Sequence, residues 1–223
     1  INKKTLETFL VFKVSRCNFV LMKSLIIKKA NSLFLKYGFK SVTMDELALS
    51  LGMSKKTLYI HFDCKNDIVE ASALDIFEKA NKELILVRKK SENAIHEFHS
   101  VKYLIMKYLN DSKLSPHYQL QKYYPEIHEK IKSLEYKKFK KQVKKNILNG
   151  INAGLFRKNI NIEFLTRLYL TGMSNLRDIK IFDPEKFNIS ELIENYLEYH
   201  LRAIVSDKGL NLLNKTPINK IDK

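Results

Sequence analysis

The side chains best equipped for chemistry lie in one stretch, MSKKTLYIHF at positions 53–62, with Cys64 just beyond it. His61 and Cys64 stand three apart and supply two metal ligands at most, and two ligands do not close a zinc site. Cys64 has no resolving partner in view, so its thiol is read as isolated. The chain carries no P-loop, no dinucleotide fingerprint, no HExxH pair and no acid–base pair set by local spacing. No catalytic residue, metal ligand set or cofactor is therefore assigned, and an enzyme is the weakest function class. What the stretch does offer is positive charge in an unusual place. If Ser54 caps a helix, Lys55 and Lys56 fall in its first turn, where each cation costs about 0.3–1 kcal/mol against the macrodipole. An anion docked at that end reverses the sign of the effect.

The elements around the stretch are helical. The 223 residues include only six Gly and four Pro, which disfavours a many-stranded sheet and predicts an all-α chain. Ile26, Ile27, Ala30, Leu33, Phe34 and Tyr37 recur at helical spacing from Lys23 onward, and Gly38 stands as a left-handed stop. Thr43-Met44-Asp45-Glu46 forms a capping box for a second helix that stops at Gly52. Ser54 opens a third helix reaching to about 62, and a longer amphipathic helix follows Asp63. Further helices are predicted at about 94–110, 116–123, 125–153, 161–179 and 189–205, with Pro116, Pro125 and Pro184 near helix starts.

Forty basic against twenty-four acidic residues give a formal charge of +16, which points to a polyanion, either nucleic acid or an anionic membrane surface. Cys17 and Cys64 show neither disulfide-framework nor metal-site spacing, which suits a reducing cytoplasm. No apolar run reaches the roughly 18–20 residues of a membrane span, so no membrane partner is expected. Lys13 and Arg16 interrupt any signal-peptide core. Residues 1–21 are read as an N-terminal extension outside the native fold, because Met22 immediately precedes the first well-patterned helix. Residues 22–82 are read as one domain, 83–207 as a larger one, and 208–223 as a polar tail.

A capped short helix, a turn containing Gly and a second short helix are the parts of a helix-turn-helix, here residues 43–62. In that motif the second helix lies in the major groove, where Lys55 and Lys56 would meet phosphate oxygens. Leu58 and Phe62 form the inward face, and Thr57, Tyr59 and His61 lie off it. The same parts also occur in ordinary helical bundles, where a lysine pair is only a solvated face, and spacing alone leaves both readings open.

The string IIKKANSLFLKYGFKSVTMDELALSLGMSKKTLYIHFDCKNDIV resembles the DNA-binding domain of the tetracycline-repressor (TetR) family of bacterial transcription regulators. The Gly-aromatic turn, the threonine before the second helix and TLYxHF leading to a lysine carry the likeness. The resemblance implies an N-terminal three-helix DNA-binding domain followed by a larger helical effector and dimerisation domain. It implies backbone contacts from Thr43, Lys55, Tyr59 and His61, a phosphate neighbour at Lys65, and base-edge contacts from Lys56 and Thr57, with Ser54 as the cap beside them. Cys64 stands where the family usually has a good cap, so the cap of the next helix is expected at Asp63.

Similar proteins are homodimers joined by their last two long helices. Leu165, Leu168, Gly172 and Leu176 on one helix, and Leu192, Tyr196 and His200 on the next, are the candidate interface. Phe98, His99, Tyr103, Met106, Tyr123 and Met173 are candidates to line a pocket for a small-molecule effector of unknown identity; plain core is the alternative for each. The expected function is a homodimeric, ligand-released repressor acting on a palindromic double-stranded DNA operator in the cytoplasm. The alternative is a DNA-binding protein controlled by a protein partner without a small-molecule ligand. Residues 127–158 hold ten Lys or Arg against two Glu, a local +8, against +5 for residues 23–65, so the global charge does not single out the helix-turn-helix.

Overall fold

The computed structural model describes the backbone of residues 3–108 and 115–215, with side chains for 18–107 and 115–215. These residues form ten helices: α1 (Lys3–Tyr37), α2 (Met44–Ser50), α3 (Lys55–His61), α4 (Lys65–Lys90), α5 (Ala94–Tyr108), α6 (Pro116–Tyr123), α7 (Pro125–Asn152), α8 (Ile162–Asn175), α9 (Ile189–Ile204) and α10 (Asp207–Lys215). The expected all-α class holds. Two compact units divide the chain, Ile1–Phe77 and Glu78–Lys223, so the division falls inside α4, earlier than the expected boundary at 82. Among the described residues no helix is long and apolar enough to cross a membrane.

The first unit closes on Ile26, Ala30 and Phe34 of α1, Leu47 and Ala48 of α2, Leu58 of α3, and Ile68 and Val69 of α4, all buried. Phe34 and Phe39 stack at 4.8 Å across the turn after α1. Gly38 makes that turn at φ 85°, in the left-handed region where a side chain is disfavoured. Asn31, also buried, donates to Asp75 Oδ2 at 2.6 Å and ties α1 to α4. α1 begins at Lys3, not near Lys23 as the apolar pattern predicts. Lys13 and Arg16 break an apolar run, but Lys and Arg are good helix formers and do not end a helix. Within the stretch 1–21, expected to stand outside the fold, the ring of Phe19 packs on His61. The side chains of residues 1–17, including Cys17, lie outside the described set.

In the second unit Ile95, Phe98, Ile147, Phe156, Tyr169, Ile193, Leu197 and Leu201 share one core between α5, α7, α8 and α9. α8 stops at Asn175, short of the predicted 179, and Leu176 caps it. Pro184 sits in a turn rather than at a helix start, ahead of the Asn188 cap of α9. The segment from 207 to 215 is a helix, where a polar tail is predicted; positions 216–223 lie outside the described residues. Ser206 caps α10 through the Gly209 amide at 3.1 Å, and Leu213 buries itself in the core. The three apolar residues Leu210, Leu212 and Leu213 are too few to show periodicity, which is why the sequence reads as polar there. Phe156 and Val205 form an isolated antiparallel bridge, with Arg157 N–H donating to Ile204 O and Ser206 N–H to Leu155 O, each at 2.9 Å. A Cβ on Gly209 would meet Leu155 O at 2.0 Å, so only glycine lets α10 lie this close.

Candidate nucleic-acid interface

The interface is built from its caps outward. Thr43 N–H donates to Glu46 Oε2 at 2.8 Å while Glu46 N–H donates to Thr43 Oγ1 at 3.2 Å, the two halves of a capping box. The Thr43 N–H and the Thr43 hydroxyl, which also donates to Oε2 at 3.0 Å, hold the Glu46 carboxyl below its ordinary pKa. Gly52 makes the turn after α2 at φ 64° with open space where a side chain would sit, so conformation rather than room demands glycine there. Ser54 then starts α3 by accepting the Thr57 N–H at 3.0 Å, and the two hydroxyls bond each other at 2.8 Å.

Leu58 and Phe62 are buried and seat α3 on its own unit. Lys55, Lys56, Tyr59 and Ile60 are exposed together, one continuous face on the other side of the helix. Among the described residues Lys55 has an anion already, Asp45 on α2, at 2.8 Å, and that carboxylate raises the Lys55 pKa. Thr43 is exposed at the start of α2, and Thr57 is half-buried beside its cap. Two candidates are placed differently from expectation. His61 is half-buried, its ring 4.5 Å from that of Phe19. Lys65 turns inward and donates to Lys40 O at 2.8 Å, and burial, opposed by Glu46, lowers its pKa. At the start of α4 the Cys64 N–H donates to Asp67 Oδ2 at 3.1 Å, so this end is held by a side chain inside the helix rather than by the expected Asp63.

Sequence reasoning passed over Ile60, Asp45 and Phe19. Ile60 was legible, since it lies midway between Leu58 and Phe62 and must face away from them. Asp45 reads as a favourable charge in the first turn of α2, and nothing local links it to Lys55 across the turn. Phe19 belongs to a stretch without helical patterning.

The other candidate residues fall in the second unit. Phe98 and Met173 are core, and Phe98 rings pack with Tyr169 at 5.0 Å and His200 at 5.5 Å. His99 is buried, while Tyr103, Met106 and Tyr123 are half-buried. None of the six lines the cleft found beside α6, which has about 40 Å³ of free volume among Ser115, His117, Tyr118, Arg177, Phe182 and Phe187 and neighbouring apolar residues. At its edge His117 Nε2 and His128 Nε2 stand 3.2 Å apart, and burial lowers both pKa values. Among the described residues no group of three or more His, Cys, Asp or Glu is placed to hold a metal.

Of the candidate dimer residues, Leu168 is exposed, and Leu165, Leu176 and Leu192 are half-buried. His200 is 4% exposed among Phe98, Tyr169 and Tyr196, so it belongs to the chain's own core and not to a surface. Gly172 and Tyr196 also serve the chain itself. Tyr196 lies in the space a Gly172 side chain would fill, and its hydroxyl donates to Leu168 O at 3.0 Å. Spacing identifies an apolar stripe but not whether the chain itself or a second copy covers it.

Residues 26–72 match the family model described as bacterial regulatory proteins, tetR family. The negative transcriptional regulator IcaR of the biofilm operon icaADBC in Staphylococcus aureus (strain Newman) is 36% identical over 74 residues, 33% of this chain. That match spans only 40% of IcaR's own length. The HTH-type transcriptional regulator YvaF of Bacillus subtilis (strain 168) is 25% identical over 203 residues, covering 84% of this chain and 97% of YvaF. A crystal structure of a transcriptional regulator from Cytophaga hutchinsonii ATCC 33406 shares the fold with a TM-score of 0.70 at 20% identity, over 82% of this chain and 98% of that one.

Proposed function

We propose that the chain, whose residues 26–72 match the tetR family of bacterial regulatory proteins, is a TetR-family transcriptional repressor that binds double-stranded DNA through α2 and α3. The exposed face Lys55-Lys56-Tyr59-Ile60, set opposite the buried Leu58 and Phe62, carries this reading. A duplex brings phosphates to the first turn of α3, where they compete with Asp45 for Lys55. Lys55, Tyr59, Thr43 and His61 contact the backbone. Lys56 and Thr57 reach base edges, Ser54 holds Thr57, and Ile60 offers apolar contact of the kind a thymine methyl accepts. Lys65 reaches a phosphate only by releasing Lys40 O.

The likeness to a negative regulator supports repression. The partly exposed apolar residues of α8 and α9, Phe164, Leu165, Leu168, Leu176, Leu192 and Tyr199, support a homodimer, which makes a near-palindromic operator the geometric expectation. An effector acts in the second unit and must favour the state that does not bind DNA, since equal affinity for both states shifts nothing. The cleft beside α6, with about 40 Å³ of free volume, is smaller than the about 300–1,000 Å³ of organic-ligand sites, so an effector held there needs it to widen.

The test is selection of bound sequences from random DNA with the full chain. A palindromic site that is lost on Lys55→Ala together with Tyr59→Ala supports the reading. Unchanged affinity in the double variant sinks it. A melting shift with candidate small molecules separates ligand control from control by a protein partner.

A further inference from the structure

His61 ends the proposed DNA-reading helix, and the atoms around its ring are unevenly arranged. Nδ1 is enclosed and has no hydrogen-bond partner, while Nε2 is not among the enclosed atoms. Phe19 packs against this ring, at a ring-centroid distance of 4.5 Å and an interplanar angle of 36°. Lys23, one turn after Phe19 on α1, places its ammonium 5.5 Å from the Phe19 ring and 5.1 Å from the Phe62 ring. The three aromatic rings and the cation form a clamp on the last turn of α3. Phe19 is itself 40% exposed, so it is not a residue of the core.

A neutral imidazole carries one proton, on one nitrogen or the other. Placed on Nδ1, the proton would make a buried donor with no acceptor, and buried donors are left unpaired less often than buried acceptors. Placed on Nε2, it faces water and can be donated. We propose that Phe19 is a positioning residue for His61: by closing over the imidazole it keeps the proton on Nε2 and presents one fixed hydrogen-bond donor to a DNA phosphate. This rests on the DNA-binding reading above. It also makes Phe19 part of the DNA-reading unit, although no base or phosphate need touch it.

The experiment uses the full ¹⁵N-labelled chain, with imidazole nitrogen shifts reporting the tautomer and titrations on the selected DNA reporting affinity. The wild type shows the Nε2–H form, and Phe19→Ala shows a mixture of tautomers with affinity lowered about two-fold for an even mixture, because only the Nε2–H fraction can donate. Phe19→Tyr keeps the ring and restores both readouts. In a His61→Ala background, Phe19→Ala costs nothing further. An Nδ1–H tautomer in the wild type, additive losses in the double variant, or an affinity loss with the tautomer unchanged overturns the proposal alone. A wild-type chain that selects no DNA overturns the DNA-binding reading and this proposal with it, even if the tautomer responds to Phe19.

Discussion

Asp45→Asn separates the two anions that compete for Lys55. In the free protein the ammonium lies 2.8 Å from the Asp45 carboxylate, with both side chains well exposed at 48% and 70%. To reach a phosphate, Lys55 must leave that carboxylate, which then stays beside the DNA backbone as a like charge. Asn keeps the shape and removes the charge. Each phosphate neutralised contributes about 0.9 to the slope of log affinity on log salt, so freeing one lysine steepens the slope by about that much. Over a fall from about 200 to about 50 mM salt, the variant's advantage over the wild type grows by about 3.5-fold. Fluorescence anisotropy titrations on the selected DNA at four salt concentrations read both quantities. Lys55→Ala moves the slope the other way. Weaker binding by Asp45→Asn at every salt, with the slope unchanged, would show that Asp45 places Lys55 for the phosphate instead of competing for it, and the reasoning fails.

In the second unit, Gly172→Ala puts a Cβ 2.1 Å from the Tyr196 hydroxyl, forces the ring out and breaks its bond to Leu168 O. Overpacking of this kind costs about 1–3 kcal/mol, read as a lowered midpoint in denaturant, whereas Tyr196→Phe loses only about 1 kcal/mol. Leu213→Ala costs about 2–5 kcal/mol if α10 is docked as described, and nothing measurable if 207–215 is a frayed tail. Burial depresses the pKa of His99 and of His200 to about 4, below the ordinary 6.5. The unfolded chain then binds more protons than the folded one between those values, so stability present above pH 6.5 is lost as pH falls toward 4. His200→Phe flattens that fall in thermal melts between pH 7 and pH 4; an unchanged profile removes His200 from the account.

The helix-turn-helix was legible because its signals are local. Thr43 and Glu46, Ser54 and Thr57, and Gly38 and Gly52 each act within a few residues, and the structure repeats them as hydrogen bonds or left-handed backbone. What spacing could not supply is the identity of a distant neighbour. Phe19 meets His61, Lys55 meets Asp45 across a turn, and Lys65 meets the Lys40 carbonyl, and none of these pairs has a periodic signature. The second unit shows the same limit on a larger scale. The apolar stripe of α9 is real, but spacing shows only that a stripe is covered and not by what, so His200 and Tyr196 fit a dimer seam in sequence while the chain itself covers them in the structure.

The bridge between Phe156 and Val205 has a kinetic consequence. Ser206 Oγ donates to Gly154 O across 52 residues, so the turn that ends α7 has its backbone partners only after α8 and α9 have been made. On the ribosome the helices of this half can form one by one from local contacts, but their core stays open on the Leu155 side until Leu213 has emerged. Loop closure over such a span is entropically slow to nucleate, which makes docking of α10 the natural last step in the folding of this half.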